Sequence, residues 1–137
     1  MIIFNYETPF TLNSSDQISE WVQKVISKEG FACGEINYIF CDDDYLLKLN
    51  IEYLDHDTFT DIISFDYTMG NLINGDIYIS IPRVKENADL FKTSFDNELH
   101  RVIIHGILHY CGYKDKSNNE KSIMRSKEDE YLNALNV

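Results

Sequence analysis

Apolar residues alternate loosely over residues 2–6, then change at Ile18 to a spacing of three and four through Trp21, Val22, Val25 and Ile26. The first pattern predicts a strand, the second an amphipathic helix whose core face carries Trp21. Ser14 and Gln17 have the spacing of a capping box at the start of that helix, and Gly30 closes it. Residues 35–41 predict a second strand. Asp42 or Asp43 can cap a second helix through Leu46, Leu47, Leu49, Asn50 and Tyr53. After a polar loop at 54–60, residues 61–67 and 75–81 read as strands, and the glycine-bearing segment between them fits a hairpin connection. Pro82 suits the first turn of a third helix that runs to about Phe91. Ser94 can cap a fourth, with apolar positions at Phe95, Leu99, Val102, Ile103 and Leu108. Ser117 and Glu120 form a second capping box, opening a terminal helix that carries Ile123, Met124, Tyr131 and Leu132. The chain contains no repeats or linkers. Four strands and about five helices predict one α+β domain over residues 1–137, a mixed sheet of about four strands packed with helices.

Composition narrows the setting. With 137 residues and 44% hydrophobic content, the chain can bury a core without disulfides or structural staples. No run approaches the ~18 apolar residues of a membrane span, so no membrane partner is expected. The first residues lack the basic region, long apolar run and cleavage site of a signal peptide. Cys33, Cys41 and Cys111 are odd in number and form no CxxC. They fit reduced, buried thiols of a cytoplasmic protein. The net charge of −11 argues against a broadly basic surface for nucleic acid. Much of that charge is local, in Asp42-Asp43-Asp44, Asp55 and Asp57, and Glu128-Asp129-Glu130, which read as solvated helix ends and loops.

The fourth helix carries the chemistry. His105 and His109 are four residues apart, on one face and one turn apart, so both imidazoles can reach one ion. Gly112 is a helix terminator, after which the chain can turn back and bring Asp115 to the same ion. Two nitrogens and a carboxylate oxygen, with a position open for water, make a hydrolytic metal site of the zinc type at the end of a core helix. Cys111 lies roughly 200° around the helix from His109 and is expected to pack instead. Gly106 occupies the place where HExxH metallopeptidases carry their glutamate base. Glu98, two turns before His105 on roughly the same face, reads either as a base or as a surface or capping glutamate. His100 points elsewhere and reads as structural.

Several motifs in series resemble those of the YbeY family of metal-dependent endoribonucleases, also called rRNA maturation factors. His105-Gly106-Ile107-Leu108-His109-Tyr110-Cys111-Gly112-Tyr113-Lys114-Asp115 is similar to the family's HGxLHxxGYxH. Upstream, Leu49-Asn50 with Tyr53, Thr60-Asp61-Ile62-Ile63-Ser64-Phe65 and Gly75-Asp76-Ile77 match in order and spacing. The resemblance implies a nuclease of single-stranded ribosomal RNA that acts in rRNA maturation and ribosome quality control, with the ribosome or pre-ribosomal particles as partners. It implies one divalent metal ion, expected to be zinc, held by His105, His109 and Asp115. The attacking group would be metal-bound water or the substrate's 2′-OH, with no protein base evident.

Three positions depart from the family pattern: Asp115 stands where the third ligand is usually His, Lys114 where the preceding residue is usually Asp, and Leu54 where arginine often faces substrate. A carboxylate also ligates zinc, so the site can survive the first change. Lys114, Glu98, His56 and Ser64 are the candidate substrate-contacting or ligand-supporting side chains. Thr60, Asp61, Ser64 and Asp76 read as structural support, Asp76 as the holder of a turn. Two alternatives follow from the same residues. One is a non-catalytic ribosome-assembly factor whose metal pins the last helices; the other is a zinc peptidase or amidase, against which Gly106 argues.

Overall fold

The computed structural model describes residues 1–137. Its elements run β1 (Ile2–Tyr6), α1 (Ser15–Lys28), β2 (Ala32–Cys41), α2 (Asp43–Leu54), β3 (Ile62–Asp66), β4 (Leu72–Ser80), α3 (Ile81–Leu90), α4 (Phe95–Tyr110) and α5 (Asn118–Ala134). The four strands form one mixed sheet in the order β1-β2-β4-β3. β1 and β4 pair parallel with β2, whereas β3 pairs antiparallel with β4. This is the α+β architecture that the periodicity predicts.

Strand alternation divides the molecule into two layers of unequal size. Ile36, Tyr38 and Phe40 of β2 and Ile73, Ile77 and Ile79 of β4 are fully buried, and they join a core that includes Ile18, Val22, Leu99, Ile103, Ile104 and Ile107 from α1 and α4. The opposite face carries only Cys41, Leu46 and Ile63, with Leu49, Phe65 and Tyr78 packed around them beneath α2. α4 therefore lies over the thick core, apolar on most of its circumference. Tyr38 fixes it from below, its hydroxyl donating to the Ile103 carbonyl at 2.9 Å. At the C-terminal end, the Tyr110 hydroxyl lies 3.0 Å from the Phe65 carbonyl and 3.1 Å from that of Asp76. Gly75 makes this approach possible, since a Cβ there would stand 2.5 Å from the Tyr110 ring. Asp76 does not hold a turn: its side chain accepts from Asn37 across the β2–β4 pair at 3.1 Å.

Most predicted helix starts form as expected. Asp42, Ser94 and Ser117 each accept from a first-turn backbone N–H, and Ser117 and Glu120 complete a reciprocal capping box. Ser14 is the exception. It sits in the left-handed region (φ 56°) and its side chain caps nothing. A capping hydroxyl needs extended backbone at that position, so the Ser14–Gln17 box is a correction to the sequence reading. Strand boundaries move as well: β3 is one residue shorter at each end than the sequence suggests. β2 starts at Ala32 and absorbs an irregularity between Cys33 and Ile36, and β4 starts at Leu72 and ends at Ser80, whose hydroxyl caps α3.

Candidate metal centre

The end of α4 is a complete Schellman turn. Tyr113 N–H donates to the Leu108 carbonyl and Gly112 N–H to that of His109, both at 3.0 Å, with Gly112 at φ +101°. Only glycine enters that backbone region without a Cβ penalty. The reversal returns Asp115 to the face of the helix that carries the two histidines. His105 Nε2 and His109 Nε2 are 3.0 Å apart, and Asp115 Oδ2 is 3.2 Å from the first and 3.3 Å from the second. Two ligands about 2.0–2.1 Å from a tetrahedral ion lie about 3.3 Å from each other. The three donor atoms therefore have the separations of one face of a tetrahedron. All three side chains are partly exposed, so a fourth direction is open.

Glu128 fixes the chemistry of the first ligand. Its carboxylate lies 2.6 Å from His105 Nδ1 and accepts the proton on that nitrogen, so in the neutral ring the Nε2 lone pair would face Asp115 and His109. Burial alone lowers the His105 pKa, but the hydrogen bond and charge of Glu128, with Asp115 and Asp61, raise it above the ordinary value. Glu128 is 4% exposed and takes a second bond from Arg101 at 2.9 Å; Arg101 also pairs with Asp129 at 2.7 Å. The acidic run 128–130 is thus not simply a solvated helix face, as its composition suggested. Met124, Glu128 and Tyr131 are the three buried residues of α5 and share one side of it. A charge on an otherwise apolar stripe was the available signal.

A second network holds the loop that carries Asp115. The Tyr113 hydroxyl donates to Glu29 at 2.7 Å, Tyr131 donates to the same carboxylate, and Lys127 stands 3.4 Å from it. Burial pushes the Glu29 carboxyl up, but the Tyr131 and Tyr113 hydroxyls and the Lys127 charge outweigh it and hold the pKa below its usual value. Cys111 packs against the core, its thiol pushed up to about 12 by burial and then by Glu29, and it lies outside the donor group of His105, His109 and Asp115. His100 packs edge-on against Trp21, in keeping with a structural role.

The remaining candidates separate into three places. Glu98 lines a cavity of about 360 Å³ together with His105, Asp115, Asp61, Arg101 and Glu128. It is 5% exposed, so the surface-glutamate reading does not hold. His56 and Ser64 line a neighbouring groove that meets this cavity at Ile62. Lys114 is exposed on the ligand loop and forms no ion pair. Lys121 and Arg125 were not among the sequence candidates, yet they also line the cavity and are exposed. Lys114 and Lys116, exposed on either side of Asp115 in the sequence, add two further cations to the loop that carries it. Position 106 faces the sheet rather than the ligands, since a Cβ there would lie 3.1 Å from Ile77 and 3.2 Å from Ile62.

Comparison with known proteins shows the family to which the chain belongs. The family described as endoribonuclease YbeY matches residues 3–136. The endoribonuclease YbeY of Flavobacterium johnsoniae is 59% identical over 137 residues, covering all of this chain and 99% of the relative. That of Flavobacterium psychrophilum is 60% identical, covering all of this chain and 98% of the relative. Among solved structures, a Thermotoga maritima protein known in solution is 28% identical and superposes with a TM-score of 0.68, covering 98% of this chain and 89% of that one.

Proposed function

The chain belongs to the YbeY family, and we propose from that membership and its metal-ligand geometry that it is a metal-dependent endoribonuclease of ribosomal RNA processing. The observation that carries this reading is the set of three donor atoms spaced as one tetrahedral face, with Glu128 behind His105. Zinc suits two imidazoles and one carboxylate, and we assign it to His105, His109 and Asp115. The substrate is single-stranded RNA, met in the cytoplasm on the ribosome or on pre-ribosomal particles.

Held by His105, His109 and Asp115, a divalent ion would supply Lewis acidity, lowering the pKa of water to about 7 and polarising a phosphoryl oxygen. The protein's own residues do the rest. Glu128 keeps the His105 proton on Nδ1 and the ring at a fixed angle. Lys121 and Arg125 stand at the cavity with no strong carboxylate partner, the nearest being Glu128 at 4.0 Å from Arg125, and are free to face phosphates. They supply cationic contacts in a chain that carries Leu54, in the adjoining groove, where the family's arginine often stands. Lys114, on the ligand loop, adds a further charge for the RNA backbone. His56 and Ser64 extend the surface along the adjoining groove. The nucleophile is either water or the substrate's 2′-OH, and the two are distinguished by their products: the 2′-OH route leaves a cyclic phosphate.

The test is cleavage of a single-stranded ribosomal RNA fragment by zinc-reconstituted wild type and His109→Ala, purified side by side. Cleavage by wild type alone, with both proteins folded, supports the reading. Equal cleavage by both would assign the activity to a contaminant and overturn it.

A further inference from the structure

The cavity next to the metal ligands contains more than the metal centre uses. Its apolar walls are Ile62, Val102 and Met124, and two carboxylates, Glu98 and Asp61, open into it. Glu98 is 5% exposed, and while its backbone N–H donates to the Ser94 carbonyl, its carboxylate makes no hydrogen bond or ion pair within the protein. No fully occluded side-chain oxygen or nitrogen in the chain lacks a partner, so the free oxygens of Glu98 reach the cavity. Asp61 is held from outside by Asn87 at 3.4 Å and shares the electrostatic field of Glu98. Burial raises the Glu98 pKa, as does Asp61, while Arg101 and Arg125 hold it down. A buried carboxylate without donors is costly, and a site that leaves one unpaired discriminates strongly for a ligand that supplies them.

We infer that this cavity is a nucleobase subsite, in which Glu98 and Asp61 accept hydrogen bonds from the Watson–Crick edge of a guanine while Lys121 and Arg125 face the adjoining phosphates. This deepens the endoribonuclease reading and rests on it for the identity of the polymer. At about 360 Å³ the space is at the small end of ligand pockets, roughly 300–1,000 Å³. Ile62 and Met124 offer apolar surface to the faces of a flat ring. Guanine presents N1–H and the 2-amino group side by side, matching the two oxygens of one carboxylate. Adenine and cytosine present one amino donor beside an acceptor. Uracil presents N3–H between two carbonyl oxygens, which would face carboxylate oxygens directly. Bases of single-stranded RNA are free to be read on this edge. The metal ligands His105 and Asp115 line the same cavity, so the recognised base lies next to the phosphate that is cut.

The test measures binding, separately from cleavage. Guanosine and uridine 5′-monophosphates are titrated calorimetrically into metal-loaded wild type, Glu98→Gln and Asp61→Asn, and the metal content of each protein is measured in parallel. The subsite predicts that wild type binds the guanosine nucleotide about tenfold tighter than the uridine one, a typical gain for a two-bond base contact. It predicts that Glu98→Gln reduces the ratio to about twofold or less with metal content unchanged. Asp61→Asn gives the same comparison should the Glu98 variant fail to fold. A wild-type ratio near one, or a ratio unchanged in both variants, overturns the subsite. Loss of metal in Glu98→Gln also overturns it, because Glu98 would then serve the ion. If RNA is cleaved without base discrimination, the subsite fails and the nuclease reading stands. If discrimination is present without cleavage, the reverse holds.

Discussion

Glu128 and His105 are 23 residues apart in sequence, yet their side chains meet at 2.6 Å inside the protein. This contact joins the terminal helix to the helix that carries the candidate metal ligands through a single proton. With its proton held on Nδ1, His105 would present Nε2 to an ion at the proposed site, so an α5 residue outside the donor set would tune that ligand.

Glu128→Gln keeps an acceptor but removes the charge, and metal affinity should fall about 10-fold or more. Glu128→Ala should cost more in a second quantity. It takes the buried carboxylate from Arg101, which keeps Asp129, and loss of such a charge-assisted bond destabilises by about 1.5–3 kcal/mol. Chelator competition reads the first effect and urea unfolding the second. Unchanged affinity in Glu128→Gln would show that the contact does not orient the ligand.

Gly75→Ala tests the close contact at the end of α4. The new Cβ would lie 2.5 Å from the Tyr110 ring, and overpacking of this kind costs about 1–3 kcal/mol. Since Tyr110 is adjacent to His109, metal affinity should fall along with the urea midpoint. Loss of stability with full affinity would separate the packing from the site.

Acid should weaken the network around Glu29. Its folded pKa lies below the usual carboxylate value, so its contribution is full above the unfolded pKa and is lost as pH falls through the folded one. The urea midpoints of wild type and Glu29→Gln should therefore differ at pH 7 and converge as the pH falls below the usual carboxylate range. A constant difference across that range would contradict the assignment.

The donor set was legible because it is local. His105, His109, the Gly112 stop and Asp115 lie within eleven residues, and helix geometry alone brings them together. Capping at Asp42, Ser94 and Ser117 was legible for the same reason. What was missed depends on tertiary packing. Glu128 appeared as part of an acidic run, and only the docking of α5 on α4 makes it a buried partner. Glu98 and Asp61 acquire their character from a cavity formed between α4, α5 and the entrance to β3. Ser14 failed as a cap because its backbone turns left-handed, which composition does not encode.

Metal content of purified wild type and Asp115→Ala, measured side by side by mass spectrometry after zinc reconstitution, tests the centre most directly. The geometry predicts one equivalent of zinc per wild-type chain and its near-complete loss in the variant, with both proteins folded. Equal metal in the two would place the third ligand elsewhere and contradict the His105–His109–Asp115 site.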